Sequence, residues 1–312
     1  METLLVAFGA VAPIFIYIII GLMVKHAKIL TSDELKHVNK LVFDVFLSVN
    51  MFYSIYISKV SFVDHINVAL FALFALLSVF IVTSILVCSF IKNNQERGAM
   101  IQSIYRTNFI LLGLPIAANI FGIDNVGVTT MLIAGAIPLY NILAVLLLET
   151  LRGGTFSFKK IVINIFENPM IIGALLAAIC VFLHITLPSI IIKPLNQIRL
   201  AATPLALIVL GASFTLGGSK RKLRETTICV ISRLLIVPGL VLTIAFLGGF
   251  RNIEFISLLG MFATPTAVAS FAMAQQLDSD FELAGDVVVY TSALSCFTMF
   301  LWIVFFKSLG AF

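Results

Sequence analysis

The sequence predicts an all-α membrane protein of ten transmembrane helices, arranged as two five-span halves. Three observations carry that prediction: the composition, ten separate apolar runs, and matched interruptions in the fourth and ninth. Of 312 residues, 61% are hydrophobic and only 11% charged, with a mean hydropathy of +1.13. A typical soluble domain is roughly 45–50% apolar and about 25% charged. A soluble fold could not cover this much apolar surface, whereas bilayer lipid removes the need to.

A helix needs about 20 apolar residues to cross roughly 30 Å of hydrocarbon. Ten such runs lie near 4–24, 38–57, 67–91, 99–121, 126–148, 166–186, 198–216, 227–248, 253–275 and 284–306. Runs three, five and ten are nearly unbroken, while two, four, seven and nine carry polar residues, Gly or Pro. No ten-residue alternation appears, which argues against a β-barrel. Met1-Glu2-Thr3 lacks the basic start of a signal peptide, so the first run reads as a retained span.

The net charge of +5 invites a nucleic-acid reading, but the basic residues sit between apolar runs, where they orient a membrane protein. Fourteen of the 20 Lys and Arg residues fall in odd-numbered connections, among them Lys25, Lys28, Arg97, Arg152, Lys159, Lys160, Lys220 and Arg221. The positive-inside rule places those connections in the cytoplasm and both termini outside. Cys88, Cys180, Cys229 and Cys296 each fall within an apolar run without a CxxC pair, and read as buried small apolar side chains. His26, His37, His65 and His184 form no ligand set. The H-E-x-x-H, Walker and G-x-S-x-G motifs are absent. The expectation is a protein that is not an enzyme and has no cofactor and no metal site; its surroundings are membrane lipid, not nucleic acid.

Five spans per half would insert the second half upside down relative to the first, the plan of many secondary transporters. Faint repeat traces agree: Pro13 pairs with Pro169, Asn39 with Asn196, and Leu111-Leu112-Gly113-Leu114-Pro115 with Leu258-Leu259-Gly260 and Pro265. Proline removes a backbone N–H and clashes with the preceding turn. The freed polar groups cost several kcal/mol each in hydrocarbon unless they line a cavity or are buried in protein. Paired breaks at Gly113, Pro115 and Pro265 therefore predict a midplane site. The opened half-helices carry about half a unit charge at each end, positive at an N-terminus and suited to a carboxylate.

Several segments resemble one known family along essentially the whole chain: APIFIYIIIGLMVKHAKIL, HVNKLVFDVFLSVNMF, YRTNFILLGLPIA, IPLYNILAVLLLETLR, ENPMIIGALLAA, ATPLALIVLGASF and TPTAVASFAMAQQLD. They are similar to the auxin efflux carriers, which include plant auxin exporters and bacterial malate and malonate permeases. The resemblance implies crossed broken helices of the NhaA and bile-acid-symporter type. It assigns residues 1–57 and 166–216 (spans 1, 2, 6 and 7) to a scaffold with dimerisation through it, and 67–148 and 227–306 (spans 3–5 and 8–10) to a moving transport domain. Asn108 and Pro115 match its span-4 motif, Pro265 its span-9 proline, and Asn141 a substrate-side polar position. One departure is Phe46-Leu47-Ser48, where the family carries F-L-P, which puts the geometry near Asn50 in question.

The candidate substrate residues are Asn108, Asn141, Asn50, Arg106 and Thr264, and the expected partner is a small organic anion. An amide at Asn108 can donate to a carboxylate while accepting from backbone; interhelical bonding is the alternative for all three asparagines. Arg106 either snorkels to the interface or attracts the anion. Arg233, within span 8, reads as structural and paired with an acid. Asp44 and Asp286 are candidate proton carriers, with solvated span ends as the alternative. Two rival functions remain: a sodium- or proton-coupled cation carrier of the same fold, and a membrane receptor without flux.

Overall fold

In the computed structural model, the structure describes residues 2–57, 65–122, 126–152, 163, 167–213 and 222–312. Lys159, Lys160, Lys220 and Arg221, used above for orientation, lie outside the described residues. Among the described residues the chain is helical and contains no named strand. Among the described residues, six helical stretches are long and apolar enough to cross a membrane: residues 33–56, 66–90, 127–151, 189–213, 223–247 and 281–308. Three shorter apolar helices join them at 13–26, 169–182 and 252–262.

The elements in chain order are α1 (Glu2–His26), α2 (Ser32–Leu41), α3 (Ser48–Tyr56), α4 (Ile66–Phe90), α5 (Asn94–Tyr105), α6 (Leu114–Phe121) and α7 (Gly127–Leu151). They continue with α8 (Pro169–Phe182), α9 (Ser189–Ser213), α10 (Leu223–Ile231), α11 (Val237–Leu247), α12 (Asn252–Phe262), α13 (Ala269–Gln276) and α14 (Phe281–Ser308). Helix α2 starts at a capping box, in which the Thr31 hydroxyl accepts from Glu34 N–H and the Glu34 side chain bonds back to Thr31, satisfying two orphan donors at once. The outward stripe of α4, with Leu70, Phe74, Ile81, Ile85 and Phe90 exposed, repeats at helical spacing. Phe90 is 79% exposed; such a stripe is stable against lipid tails and would be a liability in water.

Among the described residues, three π-helical turns interrupt the α-helical runs, at Val42–Leu47, Phe109–Gly113 and Ser232–Ile236. Two end just before a proline, Pro115 and Pro238, where the missing N–H would orphan a carbonyl one turn back. The third ends just before Ser48, the position of the sequence departure. Here the Ser48 hydroxyl donates to Phe43 O at 3.2 Å, so the irregular turn persists without proline.

Glycines bring the first half against the second. A Cβ on Gly211 would lie 2.1 Å from Ile18 O, and one on Gly21 would lie 2.2 Å from Ile208 O. Helices α1 and α9 thus touch backbone to backbone, the small-residue packing of membrane helices. Gly173 of α8 approaches α3 the same way, its virtual Cβ 2.6 Å from Ser48 O.

Two expectations need correction. The seventh run, taken to start near 198, belongs to a helix that begins at Ser189, so Asn196 lies inside a helix rather than before one; its Oδ1 accepts from Arg199 Nε within that helix. Cys88 is exposed on α4 rather than buried, while Cys229 is buried and Cys180 and Cys296 are intermediate.

Candidate functional site at the two helix interruptions

Between α5 and the π turn at Phe109, residues Arg106, Thr107 and Asn108 leave the helix, and residues 263–268 do so between α12 and α13. The two interruptions meet. Thr107 and Thr266 form an isolated antiparallel bridge, and Asn108 N–H donates to Pro265 O at 2.8 Å. The Thr266 hydroxyl donates to Ser103 O at 2.7 Å, and Gln102 Nε2 to Ser270 O at 3.0 Å. The unwound backbone is therefore paired across the contact, as burial in a membrane protein requires. Gly113 and Gly260 make the approach possible: a Cβ on Gly260 would sit 2.9 Å from Gly113 Cα, and one on Gly113 would sit 2.9 Å from Gly260 O. The helix opens at Arg106–Asn108, ahead of Gly113 and Pro115. Gly113 serves the crossing, Pro115 lies in the first turn of α6, and Pro265 lies within the second interruption.

A cavity of about 390 Å³ opens at this point, within the size range of small-molecule sites. Asn50, Arg106, Asn108 and Asn141 all line it, although they come from four separate parts of the chain. Residues at the start of both second half-helices, Phe109 and Ala269, line it too. Those are the ends where the helix dipole is positive. No described lining residue is acidic. Tyr17, Ile137 and Leu207 supply apolar wall.

Arg106 is 3% exposed, which rules out snorkelling. Its Nη2 donates to Asn141 Oδ1 at 2.6 Å and its Nη1 to Met273 Sδ at 2.8 Å. Nε has no protein partner, and no ion pair to Arg106 is found among the described residues. Asn141 Nδ2 reaches Met51 Sδ at 3.5 Å, which aims its carbonyl at the guanidinium. Asn108 is 8% exposed, and its buried Nδ2 is also without a partner. A buried cation lacking a carboxylate and a buried amide lacking an acceptor are costly features. Both would be relieved by an anion in the cavity.

Arg199 is a charged lining residue that sequence reasoning missed. It projects from α9, donates from Nε to Asn196 Oδ1 at 3.2 Å, and lies 4.9 Å over the Tyr53 ring. The signal was present in the sequence: Asn196, Arg199 and Thr203 recur at helical spacing on one face.

Thr264 does not line the cavity; it is fully buried, its hydroxyl is without a partner, and its carbonyl accepts from Arg233 Nε at 3.0 Å. Asp44 lies on the first π turn and Asp286 on α14, 8% exposed, and neither reaches the cavity. Arg233 is fully buried, but no acid pairs with it among the described residues. Its other contacts are Ile104 O at 2.9 Å and Phe262 O, so carbonyls replace the expected carboxylate.

The model of a family described as membrane transport protein matches residues 6–160 and 155–303. An uncharacterized transporter of Methanocaldococcus jannaschii, MJ1031, is 25% identical over 309 residues, covering 96% of this chain and 98% of that protein. With nearly the whole length matched, the chain belongs to the membrane transport protein family, that of the auxin efflux carriers its motifs resemble, and is a multi-pass membrane transporter rather than an enzyme.

Proposed function

We propose that this transporter carries a small organic anion, a carboxylate of the size of malate, malonate or an auxin-like acid, by elevator-type alternating access. The observation that carries the reading is the cavity where both broken helices meet. It gathers buried Arg106, Asn108 and two half-helix N-termini, with no acidic residue among its described lining. Every one of these features lowers the energy of an anion there, and the Arg106 charge and the half-helix N-termini disfavour a cation.

In this reading all ten apolar runs cross the bilayer in two inverted halves, with both termini outside. The glycine-mediated contacts of α1 with α9 and α3 with α8 join spans 1, 2, 6 and 7 into a scaffold, through which two copies would dimerise. Spans 3–5 and 8–10 move against it and carry Arg106, Asn108 and Asn141 with the anion. Asn50 and Arg199 stay behind on the scaffold. Uptake of radiolabelled malate, malonate and indole-acetate into proteoliposomes tests the proposal. Saturable uptake of one acid, competed by its unlabelled form, is the expected result. Uptake no faster than into protein-free vesicles, for every carboxylate tried, would overturn it.

A further inference from the structure

The interruptions free two sets of carbonyls as well as two sets of N–H groups. Helix α5 ends at Tyr105 and α12 at Phe262, and the last carbonyls of a helix have no partner within it. Each such end carries roughly half a negative charge. In membrane carriers, unwound carbonyls and half-helix C-terminal ends are the groups that coordinate a coupling cation. In this chain three of them are already occupied. Arg233 donates from Nη1 to Ile104 O at 2.9 Å, from Nε to Thr264 O at 3.0 Å, and from Nη2 to Phe262 O. One guanidinium thus spans both broken helices. Its single positive charge matches about two half charges, it is always protonated, and it is fully buried. The π turn Ser232–Ile236 holds it there, and Trp302 Nε1 donates to Leu234 O at 2.9 Å to satisfy a carbonyl of that turn.

We propose that Arg233 is the built-in cation of the crossing: its guanidinium fills the carbonyl seat that a coupling sodium ion would need, so transport runs without sodium. Arg233 lies outside the cavity lining and acts as a positioning residue. It fixes α5 and α12 to one another so that the N-terminal ends of their partner half-helices face the cavity together. The inference goes beyond the cargo reading and concerns the ion that accompanies it.

The first test is thermal melting of the purified protein in sodium chloride against choline chloride at equal ionic strength. The wild-type chain should melt at the same temperature in both. Arg233→Met, which empties the seat while keeping an apolar stem, should melt lower in choline by on the order of 5 °C and recover part of that loss in sodium. Arg233→Lys should recover much of it without sodium. A purely architectural arginine would destabilise on substitution but show no such sodium response. The second test is carboxylate uptake by the wild-type chain, which should change less than twofold when choline replaces sodium. Sodium stabilisation of the wild-type chain, a tenfold fall of uptake in choline, or an Arg233→Met protein blind to sodium would each overturn the proposal. If Arg233→Met does not fold, the two wild-type measurements decide it. Absence of carboxylate uptake in every salt would contradict the transport reading alone, because the melting test needs no substrate.

Discussion

Replacing Asn108 by alanine should separate transport from folding. The backbone N–H of Asn108 holds the crossing through Pro265 O at 2.8 Å, and alanine keeps that bond. Its side-chain Nδ2 is buried without a protein partner, so its removal leaves no protein acceptor unsatisfied. Truncation therefore costs the fold little, about 1 kcal/mol or less by the usual net value of one hydrogen bond. A bond from that amide to a carboxylate is charge-assisted, worth about 1.5–3 kcal/mol, or roughly tenfold to 150-fold in affinity. The assay is the concentration dependence of carboxylate uptake into proteoliposomes, beside thermal melting of the same preparation. A KM raised at least tenfold with melting shifted by no more than about 3 °C is the expected pair. A KM within twofold of wild type would remove Asn108 from the site and refute the argument from its unpartnered amide.

Two further substitutions probe other parts of the account. Arg199→Gln deletes the cation that α9 presents to the cavity and should raise the substrate KM several-fold, less than loss of Arg106, because Arg199 is only half-buried and solvent screens it; an unchanged KM would confine Arg199 to its stacking on Tyr53. Gly211→Ala drives a methyl against Ile18 O and should lower stability by about 1–3 kcal/mol, the usual cost of overpacking, read as a fall in melting temperature; an unshifted melting curve would mean that α1 and α9 part without cost.

Much of the architecture was legible because lipid imposes a simple rule on sequence. The unbroken runs at 67–91, 126–148 and 284–306 became α4, α7 and α14 with ends displaced by a few residues. The interruptions were legible for a related reason, since Pro115 and Pro265 conflict with a hydrogen-bonded helix wherever no water can help. Their exact place was not. The chain opens at Arg106–Asn108, where the cross-bridge of Thr107 to Thr266 replaces the helical bonds, and no local signal in YRTN announces a partner 159 residues away. The same blindness to tertiary context misplaced the start of α9, whose cavity-facing polar residues look like a loop. It also supplied Arg233 with an acid, where the described residues provide carbonyls. Sequence patterns report what each residue prefers in lipid. They do not report that carbonyls from two broken helices converge on one guanidinium, or that Asn50, Arg106, Asn108 and Asn141 share one cavity while Thr264 faces away from it.

The central claim is that an anion is the cargo, and net charge movement reads it directly. Proteoliposomes holding the purified protein on a solid-supported membrane should give a current on addition of malate, malonate or indole-acetate, of the sign of inward negative charge and with sodium absent. Silence for every carboxylate, with a current on a sodium or pH step alone, would contradict the account and make the protein a cation carrier.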